Sequence, residues 1–166
     1  MGFGYDHFQI LAAYNTWANE QLYDVCSQLD AETYFAPRQA FFGSIHGTLN
    51  HILVGDRIWM GRFEDVAHGI TALDEKLYDD FDGLRAARVA EDDRIVRFVA
   101  KLEEDALTRP LVYKTVAGKP HSDQLALLLA HFFNHQTHHR GQVHDQLSQT
   151  GLAPPSLDLL VFLHTV

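Results

Sequence analysis

Four long segments with apolar residues every three to five positions limit what this chain can become more than any other feature. In the first, Ile10, Tyr14, Trp17, Leu22, Val25 and Leu29 recur at spacings that place them on one helix face, over about residues 5 to 29. Pro37 and the stretch Phe41-Phe42-Gly43-Ser44 interrupt the pattern. Ser44 then stands where a cap is wanted for a second helix carrying Ile45, Leu49, Ile52, Trp59 and Phe63, to about residue 65. The third segment, Leu84 to Asp105, holds no Gly or Pro and sets Ile95, Phe98 and Leu102 on one stripe. The fourth, capped by Ser122 or Asp123, runs to about Ser148, where Gly151 and the Pro154-Pro155 pair stop it.

Between the third and fourth helices, PLVYKTVAGKPH changes character. Its β-branched and aromatic residues flank Ala117-Gly118-Lys119, which predicts a short hairpin or extended excursion. SLDLLVFL, Ser156 to Leu163, predicts a short helical tail over one end of the core. Four amphipathic helices with little strand signal make an all-α four-helix bundle the expected fold. At 166 residues the chain has the size of one domain, expected to span 1–166 with no linker or repeat.

With 13 Lys+Arg against 22 Asp+Glu, the formal charge of -9 has the wrong sign for nucleic acid or an anionic membrane. The acidic run DEKLYDDFDG, Asp74 to Gly83, reads as a solvated connection. Cys26 is the single cysteine, which excludes an internal disulfide, and it reads as a small apolar residue. MGFGYDHF has neither a secretory signal's basic start nor the Ser or Thr that myristoylation wants, and LALLLA is too short to span a bilayer. A cytoplasmic location is expected.

HFFNHQTHHRGQ packs His131, His135, His138 and His139 into one short segment. At about 100° per residue, with His135 at zero, Leu128, Phe132, Leu125, Val143, Leu129 and Leu147 fall between about +20° and +120°. His139 lies inside that stripe at about +40° and His135 at its edge, while His131 and His138 fall at about −40° and −60°. His144 is on the far side. His135 and His139 are thus i,i+4 neighbours that can reach one ion. On the second helix His51 sits beside the apolar stripe, flanked by Gly47 and Gly55 at about −40° and +40°. These glycines leave room for a metal or substrate, or let another helix approach. Read from the residues alone, His51, His135 and His139 form either a metal site or a hydrogen-bonded histidine cluster.

Neighbouring residues admit other duties. His138 reads as a rim or solvent-facing histidine, and His46, about 140° from His51, does not share its position. Asn134, Arg140 and Gln142 can orient the imidazoles, although a salt bridge to another helix suits Arg140 better. Tyr14, Trp17 and Trp59 read as core, one of them as a candidate pocket wall. Gln136 stands where a zincin has its glutamate base, Tyr113 where a P-loop needs glycine, and Phe42 where a nucleophile elbow needs it.

SIHGTLNHILVGDRIW, Ser44 to Trp59, and NHQTHHRGQ, Asn134 to Gln142, closely resemble the signature helices of the DinB/YfiT-like metalloenzymes. YNTWANEQL, Tyr14 to Leu22, and GLAPPSLDLLVFL, Gly151 to Leu163, resemble that family's ends. The resemblance covers most of the chain. It implies an up-down-down-up bundle in which His51, His135 and His139 hold a divalent metal. It also implies a homodimer and, in some members, transfer to a low-molecular-weight thiol, with hydrolysis as another inferred activity. Three imidazoles leave at least one coordination position open, which favours chemistry over a closed structural site. The metal is zinc, nickel, iron or copper, since histidine sites accept all of these. The competing expectation is a stress-responsive metal-binding bundle that acts by protein association without turnover.

Overall fold

The computed structural model describes residues 5–165; Met1 to Gly4, the first half of the MGFGYDHF stretch, and Val166 lie outside the described residues. Its elements are α1 (Tyr5–Cys26), α2 (Ala31–Phe35), α3 (Ile45–Phe63), α4 (Phe81–Ala100), β1 (Pro110–Lys114), β2 (Pro120–Gln124), α5 (Leu125–Ser148) and α6 (Leu159–Leu163), with a 3-10 turn at Glu104–Thr108. Among the described residues no helix is long and apolar enough to cross a membrane.

Cross-helix contacts fix the directions of the four long helices. Asp56 meets Arg88 and Glu64 meets Arg94, so α3 and α4 run parallel. Thr48 meets Gln146 and Asp56 meets Gln136, so α5 runs against α3. Phe8 packs on Phe133 and Asn15 on Arg140, making α1 parallel to α5, whereas Asn15 and Asp24 meet Asp92 and Arg85 in the antiparallel sense. The order is up-down-down-up. A parallel α3/α4 pair demands a crossover along the bundle's length, supplied by residues 64–80.

Local chemistry accounts for the helix ends. Ser44 accepts a hydrogen bond from the Gly47 N–H at 3.0 Å, as its sequence position predicts. Asp80 caps α4 in the same manner through Gly83, so Phe81 to Gly83, expected in the acidic connection, form the first helical turn instead. Asp30 likewise caps α2, a short helix with no expected counterpart. Neither Ser122 nor Asp123 caps α5. Both lie in β2, paired with Val112 and Leu111, because the Leu125 N–H donates to the Arg109 carbonyl and carries the ladder up to the helix. The hairpin turns through Gly118 at a φ of 81°, a conformation glycine adopts without strain. The tail α6 packs Phe162 on Tyr14, Trp17 and Ala18, midway along α1, instead of covering an end.

The core has three layers along the bundle axis. One apolar end holds Leu22, Ile45, Leu49, Leu53, Leu84, Val143 and Leu147; the other holds Phe8, Met60, Ile95, Val99, Leu129 and Phe132. Each fully buried aliphatic side chain contributes about 1.5–3 kcal/mol by leaving water. Between them lies a layer of buried polar groups. Asp56 accepts from Arg88 at 2.6 Å and from Gln136 at 2.9 Å; Asp92 accepts from Asn15 at 2.8 Å and Asn19 at 3.0 Å. Arg88 Nη2 lies 2.9 Å from Asp92, misaligned for a hydrogen bond, and so adds an ion pair. Arg140 donates to Asn15 and spreads over the Tyr14 ring at 5.3 Å. It reaches across to α1 as expected, but to an amide and an aromatic face in place of a carboxylate.

Candidate metal centre

At the level of this polar layer, the α3/α5 seam brings His51, His135 and His139 together. One ring nitrogen from each lies within 4.8 Å of the others. The ring centroids of His139 stand 4.4 Å from those of both His51 and His135, and the third pair is 5.3 Å apart. His51 and His139 are buried and His135 is half-buried. Neutral imidazoles are favoured throughout, because burial lowers the pKa of all three. For His135, with His139 and His51 adding repulsion, it falls to about 3.

Two of the rings are locked in orientation. His51 donates its Nδ1 proton to the Leu73 carbonyl at 2.8 Å, and His139 pairs its Nδ1 with the Gln142 side-chain oxygen at 2.8 Å. Both contacts set the Nε2 lone pairs facing one another, 3.2 Å apart. Two lone pairs at that separation repel unless a cation lies between them. His135 Nδ1 is buried without a partner among the described residues. The donor set therefore fits a divalent transition metal, and a mutually hydrogen-bonded cluster fits less well.

Glycines on either side of His51 make separate contributions. A Cβ on Gly55 would stand 2.7 Å from His135 Cε1, so any side chain there would push that ring from its place against α3. A Cβ on Gly47 would collide with the Phe42 carbonyl oxygen. The close approach of that loop sets the Phe42 ring parallel to His51, centroids 3.8 Å apart.

A cavity of about 710 Å³ opens beside the imidazoles, lined by His51, His135, Gly55, Trp59, Leu73 and the hairpin tip at Thr115–Ala117, among others. Trp59 is thus the aromatic that walls the pocket, with His131 5.2 Å from its ring. Tyr14 and Trp17 serve the α6 contact instead. His138 is exposed, with a hydrogen bond to Gln142 and a ring contact with the edge of His139. His46 is held elsewhere, between the Tyr34 hydroxyl at 3.0 Å and the Tyr78 carbonyl at 2.9 Å. Asn134 is exposed and, among the described residues, its side chain makes no hydrogen bond to the three histidines, while burial pushes the Cys26 thiol up to about 12, in keeping with an inert core residue. Sequence reasoning missed Phe42, the Leu73 carbonyl and the polar layer. The polar layer had a signal: Asn15/Asn19, Arg88/Asp92 and Gln136/Arg140 are i,i+4 polar pairs interrupting three apolar stripes at one level.

Known proteins are similar to this chain in sequence and in fold. The Protein DinB of Bacillus subtilis (strain 168) is 28% identical over 159 residues, covering 92% of this chain and 91% of its own. The crystal structure of a DinB-like protein from Bacillus cereus ATCC 10987 superposes with a TM-score of 0.72 at 20% identity, covering 94% of this chain and 99% of that one. A model of the DinB family matches residues 5–165, and with the whole described chain inside that match, the chain belongs to the DinB family.

Proposed function

We propose that this protein is a metal-dependent enzyme in which His51, His135 and His139 hold a divalent transition metal and the adjoining cavity admits a low-molecular-weight thiol and an electrophile. The observation that carries this reading is the cavity itself, which is lined by His51 and His135, so that a coordination position left free by the three histidines would be within reach of a small molecule. A divalent ion there lowers the pKa of a bound thiol or water and acts as a Lewis acid.

The chain's own residues prepare that chemistry. Leu73 and Gln142 fix the rings, Phe42 covers one face of His51, and Ile58, Trp59, Leu73 and Val116 keep the cavity wall apolar. Among the described residues no carboxylate lines this cavity, and Gln136 turns away to Asp56. Hydrolysis by metal-activated water gains most from a carboxylate base, whereas a thiol loses its proton far more readily. This favours S-transfer over hydrolysis. In that reaction the sulfur bonds to the electrophilic carbon, the leaving group departs with its electron pair, and the thiol proton passes to solvent.

The test is turnover of an electrophile panel by metal-loaded protein, with each common cellular thiol and with water alone. Thiol-dependent turnover lost in the His135→Ala/His139→Ala variant supports S-transfer; product formation without thiol establishes hydrolysis. No turnover under either condition refutes the enzyme.

A further inference from the structure

The same cavity contains a cation that pairs with no acid among the described residues. Arg62 stands about 20° round α3 from His51 and roughly 16 Å further along the axis, so both side chains face the cavity. Its guanidinium carbon lies 4.5 Å from the Trp59 ring centroid and 5.2 Å from that of Tyr113. Among the described residues it enters no ion pair, and its buried Nε finds no acceptor.

Orphaned Nε atoms recur at Arg38, Arg88 and Arg140, but each of those guanidiniums donates a hydrogen bond through another nitrogen. Arg57, Arg85, Arg88, Arg94, Arg97 and Arg109 each face a carboxylate, while Arg38 and Arg140 donate to Thr33 and Asn15. In a chain of formal charge -9, acids are plentiful, so a half-buried guanidinium left without one is a reserved donor. Two aromatic faces hold its plane and satisfy part of its charge, but they leave its N–H groups unbound. A planar fork of donors fixed in this way matches a carboxylate, which accepts two parallel hydrogen bonds.

We infer that Arg62 anchors the carboxylate of the molecule that fills this cavity. That ligand is an elongated small molecule with an anionic head at Arg62, an apolar body against Ile58, Leu73, Val116 and Ala117, and its reacting heteroatom at the histidine end. The assignment of the reacting end rests on the metal-centre reading; the carboxylate anchor does not.

Calorimetric titration with octanoate and with octan-1-ol tests this on the metal-loaded and the chelator-treated protein. Octanoate binds at least roughly tenfold tighter than the alcohol in both forms, as a charge-assisted pair implies. Arg62→Gln brings the two ligands level with metal content unchanged, and Arg62→Lys keeps part of the preference. Equal binding of acid and alcohol by the wild type, no binding of either, or a preference that survives Arg62→Gln overturns the inference. A preference that vanishes on chelation also overturns it, since the carboxylate then sits on the ion. Metal content measured in the same samples judges the other reading separately: no bound ion with an intact preference removes the metal centre and leaves the anchor.

Discussion

Nε2 of His51 and Nε2 of His139 face each other across 3.2 Å, each with its lone pair forward, because the Nδ1 of each ring is committed to an oxygen. Elemental analysis of untagged protein is expected to find near-stoichiometric divalent metal, and almost none in the His135→Ala/His139→Ala variant. A wild type that stays empty after incubation with zinc, nickel and iron would refute the metal centre. Gln142→Ala removes only the group orienting His139, and weakens metal affinity by about 10–100-fold in competition with a chelating dye.

Gly55→Ala presses a methyl group against His135. The substitution suits a helix interior by about 1 kcal/mol on propensity alone, so the helix persists. The imidazole must move, and metal affinity is expected to fall by roughly tenfold or more while the circular dichroism spectrum is unchanged. Unaltered affinity would show that His135 does not need its place beside Gly55.

Arg88→Met leaves Asp56 and Asp92 buried without their shared cation. Removing one partner of a buried ion pair costs about 3–5 kcal/mol, to be read from the urea midpoint at constant slope. Arg97→Met, which breaks an exposed pair with Asp93, is expected to change stability by less than about 1 kcal/mol. Similar losses from both would contradict the buried role of the polar layer.

Burial lowers the pKa of His46, which is held neutral as its Nε2–H donates to Tyr78 and its Nδ1 accepts from Tyr34. A depressed folded-state value means the unfolded chain takes up the proton first. The stability from the neutral ring is complete above the unfolded value near 6.5 and drains away as pH falls from there toward the folded value. The melting temperature of metal-free protein should therefore drop on acidification, and His46→Gln should flatten that part of the curve. An equally steep curve in the variant would remove His46 from the account.

Much of this was legible in the sequence because helices and ligands obey one periodicity. Ile45, Leu49, Ile52 and Trp59 set the rotation of α3, and that rotation placed His51 beside the seam before any partner was known. The i,i+4 pair His135 and His139 followed in the same way. What stayed hidden depends on contacts distant in sequence. The Leu73 carbonyl acts through its backbone, so its residue type carries no signal, and Phe42 reads as one more aromatic in a loop. Ser122 and Asp123 look like caps, yet strand pairing with Val112 and Leu111 outcompetes capping there. Arg62 lies on the same helix as His51, but only the folded chain reveals that no acid among the described residues pairs with it.

The parallel run of α3 and α4 has a further consequence for biosynthesis. His51 waits on α3 while its two companions arrive on α5, separated from it in sequence by the crossover, α4 and the hairpin. A nascent chain without α5 presents one of the three site imidazoles, lacks the cavity wall given by His131 and His135, and leaves an open seam along both α1 and α3. An ion held by all three histidines would therefore be captured late in synthesis, and its retention would report that the last long helix has docked.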